Sequence, residues 1–488
     1  MIKKLNKENI ALFLVLVILM LIIFKEFITM HYATDTYNIF ARGYKEYAIL
    51  YSLNDGRIFM SGISLIADTF NIPINIYIIT LTILAIATSC ISIIVLKNII
   101  ERYKKPSNKF GKIILVLICS CTIFNFMFIE NMQFAECFVM AASILCYILA
   151  ADILVRKDKY WIVKSFILVI IGIFSYQGTL GFFIVMIFVI SIAKNDKKIL
   201  KNILIGGLIC LGAVLLNLIE IKICGYMLGN QSTRMGGIKN IGRMITRIFK
   251  SIWPILKYSI GTFPKYAFIL VFFVTVLFTN IEIERKKQMY LNCCIFLLVL
   301  LTLSTAFVIN LFTIAGFGTA RMLFVIGALI GNTFILIYIT TNILENKTSI
   351  INYIIIIYCI IIVFSYINLM EYHKKVEEYT KEECKTINEY ITEYETQTGS
   401  KIENIAVYRD QIPTYYYESI KNYSALTIRP LAVEWGDNGA ISFWTKRPLK
   451  EINPSREIYE KYFKDKDWDK LDKEQFVFEG NTMHYCVY

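Results

Sequence analysis

The sequence predicts an all-α polytopic membrane bundle of about eleven transmembrane helices, followed by a small extracytoplasmic α/β region at the C-terminal end. Three observations predict it. Of 488 residues, 56% are hydrophobic and the mean hydropathy is +0.56, more apolar surface than a water-soluble fold of this size can cover. The apolar residues fall into repeated runs of roughly 20, the length that crosses a hydrocarbon core of about 30 Å. Lys and Arg gather in alternate connections between those runs, as the positive-inside bias requires. The net charge of +13 therefore orients helices. It does not mark nucleic-acid binding, which the same charge would suggest in a soluble protein.

The first span, residues 10–24, follows Lys3, Lys4 and Lys7 as a signal peptide's apolar segment would. No small-x-small cleavage site follows it, so it reads as an uncleaved first helix. Further spans fall at 74–96, 113–129, 132–154, 161–175, 178–193, 203–224, 266–281, 289–311, 321–343 and 350–370. With the N-terminus inside, the inside connections collect Lys97, Arg102, Lys104, Lys105, Lys109 and Lys112, then Arg156, Lys157, Lys159 and Lys164. Lys194, Lys197, Lys198 and Lys201 follow, then Arg285, Lys286 and Lys287, then Lys347. The outside connections at 130–131, 176–177 and 312–320 carry no Lys or Arg. An odd number of crossings places the tail outside, dividing the chain into a transmembrane domain, 1–370, and an extracytoplasmic region, 371–488.

Two outside segments are long. In 30–73, Tyr37, Phe40, Tyr44 and Tyr47, then Ile58, Ile63, Ile66 and Phe70, recur at helical spacing around a turn at Asn54-Asp55-Gly56. This predicts two amphipathic helices at the membrane surface. In 225–265, Ile241, Ile245, Ile248, Ile252 and Ile255 share one helix face, with Arg243, Arg247, Lys250 and Lys257 on the rest. That basic helix suits anionic membrane lipids or a lipid phosphate. The tail reads as a charged helical stalk to about Thr396 and then a mixed region. Strands are expected there at 405–408, 425–428 and 441–444, with a turn at 435–439. Most of the 12 cysteines sit in apolar spans as small hydrophobes. Cys384 and Cys486 lie in the tail, where an outside location would allow them to pair. No cysteine or histidine spacing suits zinc.

Ionisable and polar groups at a membrane boundary are functional candidates, because they are costly there. Asp35, Asp55, Arg57, Glu130, Gln133, Glu136, Gln177 and Arg321 come from five separate loops or helix ends, yet the topology places all of them at one face. The order of these elements resembles the GtrII-type glucosyltransferases of the GT-C class over roughly residues 10–370. The shared elements are Asp35-Thr36-Tyr37 after the first helix, Gly56-Arg57, Phe128-Ile129-Glu130, Tyr176-Gln177-Gly178, and Arg321 opening a late helix. The resemblance implies a GT-C-like fold. It also implies transfer of a hexose, glucose first among them, from a polyprenyl-phosphate donor to a surface glycan acceptor. A small flippase and a donor synthase would be working partners. Where the family often carries a doubled acid, this chain has Asp35 followed by Thr36, which disfavours a divalent metal and implies no cofactor.

The residues suit that chemistry on their own terms. A polyprenyl phosphate leaves readily if its oxygens meet positive charge, which Arg57 and Arg321 supply, with Arg243 and Arg247 behind them. The acceptor hydroxyl needs a base: Asp35 first, Glu130 second. Tyr37, Asp55, Tyr176 and Gln177 would bind substrate, and one base with one displacement predicts inversion. Two other classes share parts of the layout. A surface-polysaccharide polymerase or ligase would depend on outside arginines and a large late loop. A non-catalytic glycan transporter or flippase would need polar groups at several depths.

Overall fold

A computed structural model describes residues 7–29, 32–229, 264–307, 320–410, 414–420 and 427–488, together with residues 242, 245, 246, 250, 253, 256 and 257. It is 75% helical. The helices are α1 (Lys7–Ile23), α2 (Lys25–Thr29), α3 (Thr34–Arg42), α4 (Tyr44–Tyr47), α5 (Ile58–Thr69), α6 (Ile74–Tyr103), α7 (Lys109–Ile123), α8 (Phe128–Met132) and α9 (Cys137–Arg156). They continue with α10 (Trp161–Ser175), α11 (Gly181–Ala193), α12 (Ile199–Leu228), α13 (Ala267–Glu282) and α14 (Arg285–Ala306). A broken segment over Ala320–Thr340 holds α15 (Phe324–Gly327) and α16 (Leu329–Thr340), and α17 (Ile350–Thr398) follows.

Each span drawn from the sequence overlaps an apolar helix, though 113–129 outruns α7, 321–343 falls on the broken segment, and 308–311 lie outside the described residues. Among the described residues, six helices are long and apolar enough to cross a membrane, or seven if the bent α1–α2 pair is one span. Helices α10, α11 and α13 are shorter apolar helices. The bundle is thus a helical membrane protein with at least six helices of crossing length, and the expected eleven exceeds that number.

The core sits around α11, buried continuously from Gly181 to Ile192, and α16, buried from Leu329 to Tyr338. Helix α9 packs on α6, α10 and α11, and α14 packs on α11 and α16. Helices α12 and α14 bury one face and leave Leu204, Leu208, Leu211, Phe296 and Leu300 exposed, as a lipid-facing helix does.

Helix α17 runs through the expected boundary at Glu371 without a break. Ser349 caps its start, accepting from Ile351 N–H at 3.3 Å, and Gly399 in the left-handed region (φ +73°) ends it. Its buried side keeps the helical period from Leu369 through His373, Thr380, Cys384, Ile387 and Ile391, so one helix serves both the bundle and the C-terminal region.

That region forms a four-stranded sheet in the order β2-β1-β4-β3, from β1 (Asn404–Arg409), β2 (Lys450–Glu451), β3 (Phe476–Glu479) and β4 (Thr482–Val487). Strand β1 runs parallel to β2 and β4, and β3 and β4 form a hairpin closed by Gly480 at φ +60°. Among the described residues, 405–408 is the one expected strand that forms. Residues 441–444 lie in a helix, α18 (Asp437–Thr445), because Ala440, Ile441 and Trp444 recur at a helical interval and pack on α3 and α17. Thr427 and Ile428 lie outside any strand, and 425–426 fall outside the described residues. Cys384 and Cys486 are free thiols in separate apolar clusters, Cys384 with Ile387 and Ala440, Cys486 with Ala406 and Tyr408. The buried Arg429 forks onto Glu383 with 3.0 and 2.9 Å bonds and ties the sheet's connecting loop to α17.

Candidate functional site

The first long connection folds as expected into two helical arms, α3–α4 and α5, joined by the Asn54-Asp55-Gly56 turn. Gly56 is required there twice. Its φ is +76°, and a Cβ would lie 2.5 Å from Asn217 Nδ2. The close approach is a clamp: Asn217 of α12 donates to the Gly56 carbonyl at 2.9 Å, and Gln177 Nε2 donates to the Asp55 carbonyl at 2.7 Å. Gln177 also lies 3.3 Å from Asn217 Oδ1. Gln177, expected to bind sugar, thus holds backbone. Asn217 carried no signal in the sequence, because an Asn within an apolar run names no partner.

The clamped turn aims Arg57 at Glu136. Its Nη1 lies 2.7 Å from both carboxylate oxygens, and Tyr47 donates to the same carboxylate at 3.2 Å. Tyr176 lies against the guanidinium, 5.7 Å from ring centre to Cζ. Burial opposes the Arg57 charge, but Glu136 and then Asp55 hold it firmly protonated.

A second pair faces the same space. Glu130 Oε1 lies 3.8 Å from Arg321 Nη1, too far for a hydrogen bond, and Arg321 rests 4.1 Å above the Phe134 ring. Burial pushes the Glu130 carboxyl above its ordinary range, against the pull of Arg321 and of the backbone N–H groups of Arg321 and Ala320. Tyr176 feels Arg321, Arg57, Glu136 and Glu130 together, which puts both pairs around one ring. Around Glu130 the polar groups are unsatisfied. Glu130 Oε1 and both side-chain polar atoms of Asn131 and of Gln133 are buried without a hydrogen-bond partner among the described residues. Each such atom costs about 1–3 kcal/mol if nothing polar meets it, so their grouping calls for water or another polar group to complete the bonds.

Asp35 stands in the first turn of α3, half-buried, where the helix dipole favours a carboxylate. Its charge adds to burial and to the charge of Glu136 in raising the Tyr47 phenol, against Arg57. Asp55 shapes the turn through its carbonyl. Tyr37 goes elsewhere: it is fully buried in the C-terminal core, accepts from Trp444 Nε1 at 2.8 Å, and meets Gly439 backbone to side. It is a docking residue between the two regions. Arg243 and Arg247 lie outside the described residues. From the tail, Tyr416 comes near enough to Glu130 that this carboxylate adds to burial in raising its phenol. Its neighbour Tyr417 is anchored to Glu383 at 2.8 Å. Among the described residues no three His, Cys, Asp or Glu side chains gather as a metal site would need.

Comparison with curated proteins and with solved structures gives no match. The family model described as Glucosyl transferase GtrII matches residues 26–338, which take in every element of the site from α3 to Arg321. The chain belongs to the GtrII glucosyltransferase family.

Proposed function

We propose that this glucosyltransferase moves a hexose, glucose in the first place, from a polyprenyl-phosphate donor to a hydroxyl of a surface glycan, at the outer face of the membrane and with inversion. One observation carries the reading. Four separate connections bring Arg57–Glu136, Glu130–Arg321 and Tyr176 together, and Asp35 stands at the start of the connection that carries Arg57.

The acceptor oxygen attacks the anomeric carbon while Asp35 takes its proton. The bond from that carbon to the phosphate oxygen breaks, and the electron pair leaves with the polyprenyl phosphate. Arg321 suits the leaving phosphate, since its grip on Glu130 is loose and its side chain is 21% exposed. Arg57 is closed onto Glu136 and builds the wall of the site. The C-terminal region, packed on α3 through Trp444 and Tyr37, borders the side from which a polymeric acceptor would approach. A crevice lined by Asn38, Arg42, Glu434, Trp435, Asp437 and Asn438 runs along that contact.

Asp35→Asn tests the reading in membranes supplied with polyprenyl-phosphate glucose and acceptor. A well-folded variant should lose transfer by about 10²–10⁴-fold. Undiminished transfer would remove Asp35 as the base. The charge layout supports a cytoplasmic N-terminus and an extracytoplasmic C-terminal region. Labelling of a cysteine placed at position 35 by an impermeant reagent added outside checks that orientation.

A further inference from the structure

We propose that the turn from Glu130 to Gln133 is the hexose-recognition subsite, with Gln133 hydrogen-bonding a hydroxyl of the sugar being transferred. The proposal rests on the donor reading above and names which side chain reads the sugar.

Asn131 and Gln133 are 0% and 1% exposed, and neither amide atom of either side chain has a partner among the described residues. Of the carboxamides at the neighbouring turn, Gln177 and Asn217 are locked onto the Asp55-Gly56 backbone, while Asn54, within the turn itself, keeps a buried Oδ1 without a partner among the described residues. Gln133 caps α8 with helical angles, φ −70° and ψ −26°. It therefore follows Glu130 by one turn on the same face. The next residues, Phe134 and Glu136, carry Arg321 and Arg57 respectively. Gln133 thus stands in the stretch of chain that supports both cations.

The chemistry fits a sugar better than a phosphate. A carboxamide offers one acceptor oxygen and two N–H donors without charge. A hydroxyl both donates and accepts, so vicinal hydroxyls match that set. The phosphate, which only accepts, is matched by Arg321. A buried carboxamide of this kind also discriminates. An epimer that turns one hydroxyl away leaves the amide unpaired, and such sites reject wrong partners strongly.

The test uses the full-length chain in detergent and follows its thermal unfolding with three probes: bare polyprenyl phosphate, polyprenyl-phosphate glucose and polyprenyl-phosphate galactose. The wild type should gain more from one sugar-bearing probe than from the bare phosphate. Gln133→Leu, which replaces the amide with an apolar group of similar size, should fold with an equal or higher midpoint. It should then respond alike to all three probes, and its donor KM in transfer should rise about 10–100-fold. A Gln133→Leu protein that keeps the wild-type increments would overturn the subsite, leaving its amide to water. A wild type that responds equally to all three would also overturn it while the polyprenyl-phosphate reading stands. A wild type that responds to none would bring down the donor reading itself.

Discussion

The site contains two arginine–glutamate pairs built from the same residue types, and they differ in almost every physical respect. Arg57 and Glu136 touch at 2.7 Å, share their carboxylate with Tyr47, and sit in a turn clamped by Asn217 and Gln177. Arg321 and Glu130 stand 3.8 Å apart, Arg321 lies on a ring, and the groups beside Glu130 have bonds unmade. A closed pair is framework. An open pair is held less tightly by its own partner. The difference teaches that pairs of the same residue types can close to different degrees, while buried unmade bonds remain beside both: Arg57 Nε and Asn54 Oδ1 at one, Glu130 Oε1 and the Asn131 and Gln133 amides at the other.

The sharpest way to break this comparison is to remove each arginine. Arg57→Ala leaves Glu136 buried without its partner and should destabilise the protein by about 3–5 kcal/mol, read as a large fall in thermal midpoint and in yield. Arg321→Ala breaks a looser pair, so it should lower the midpoint by less than Arg57→Ala does, while transfer falls about 10²–10³-fold. Equal loss of stability in both variants would erase the distinction.

A third buried carboxylate sharpens the comparison, because it has neither arrangement. Glu377, on α17 just beyond the apolar span, accepts the backbone N–H of Tyr32 and lies 3.7 Å from His373. Burial raises its pKa from 4.5 to about 8, only partly offset by that N–H. A raised folded pKa means that the folded protein holds the proton more tightly than the unfolded one. Its contribution to stability is complete below about pH 4.5 and is lost as pH rises through about 8. Glu377→Gln should therefore flatten the fall in thermal midpoint between pH 6 and pH 9, measured against wild type in the same buffers. An unchanged slope would show that other groups set it.

The smallest effect belongs to the contact between the regions. Trp444→Phe keeps the ring in place and removes its bond to Tyr37, which should cost about 1 kcal/mol. Faster proteolysis of the C-terminal region with unchanged donor binding would show that docking and chemistry are separable. Loss of donor binding would mean that the tail completes the site.

Much of this was legible in the sequence for identifiable reasons. The helices followed from runs of apolar residues, and the Asn54-Asp55-Gly56 turn from residue types that tolerate a left-handed backbone. The polar set from Asp35 to Arg321 was visible because such groups are out of place in apolar surroundings. Residues 441–444 were misread because a four-residue stretch with three apolar residues, Ile441, Phe443 and Trp444, fits a strand and one turn of helix equally well; α3 and α17 decided between them. Tyr37 looked like a substrate ligand because it neighbours Asp35 in sequence, but successive residues on a helix point about 100° apart. Asn131 and Asn217 were overlooked for the opposite reason, since an amide in an apolar run carries no label of what it bonds.

By itself, the sequence determined the class, the helical bundle and the family, because these rest on hydropathy and on the order of motifs along the chain. The tertiary structure decided which polar residues meet. It closed Arg57 onto Glu136, turned Gln177 to the backbone, sent Tyr37 into the C-terminal core, and left Glu130, Asn131 and Gln133 with unmade bonds. Hydrogen-bond satisfaction depends on distances between segments far apart in the chain, and local sequence does not encode those distances.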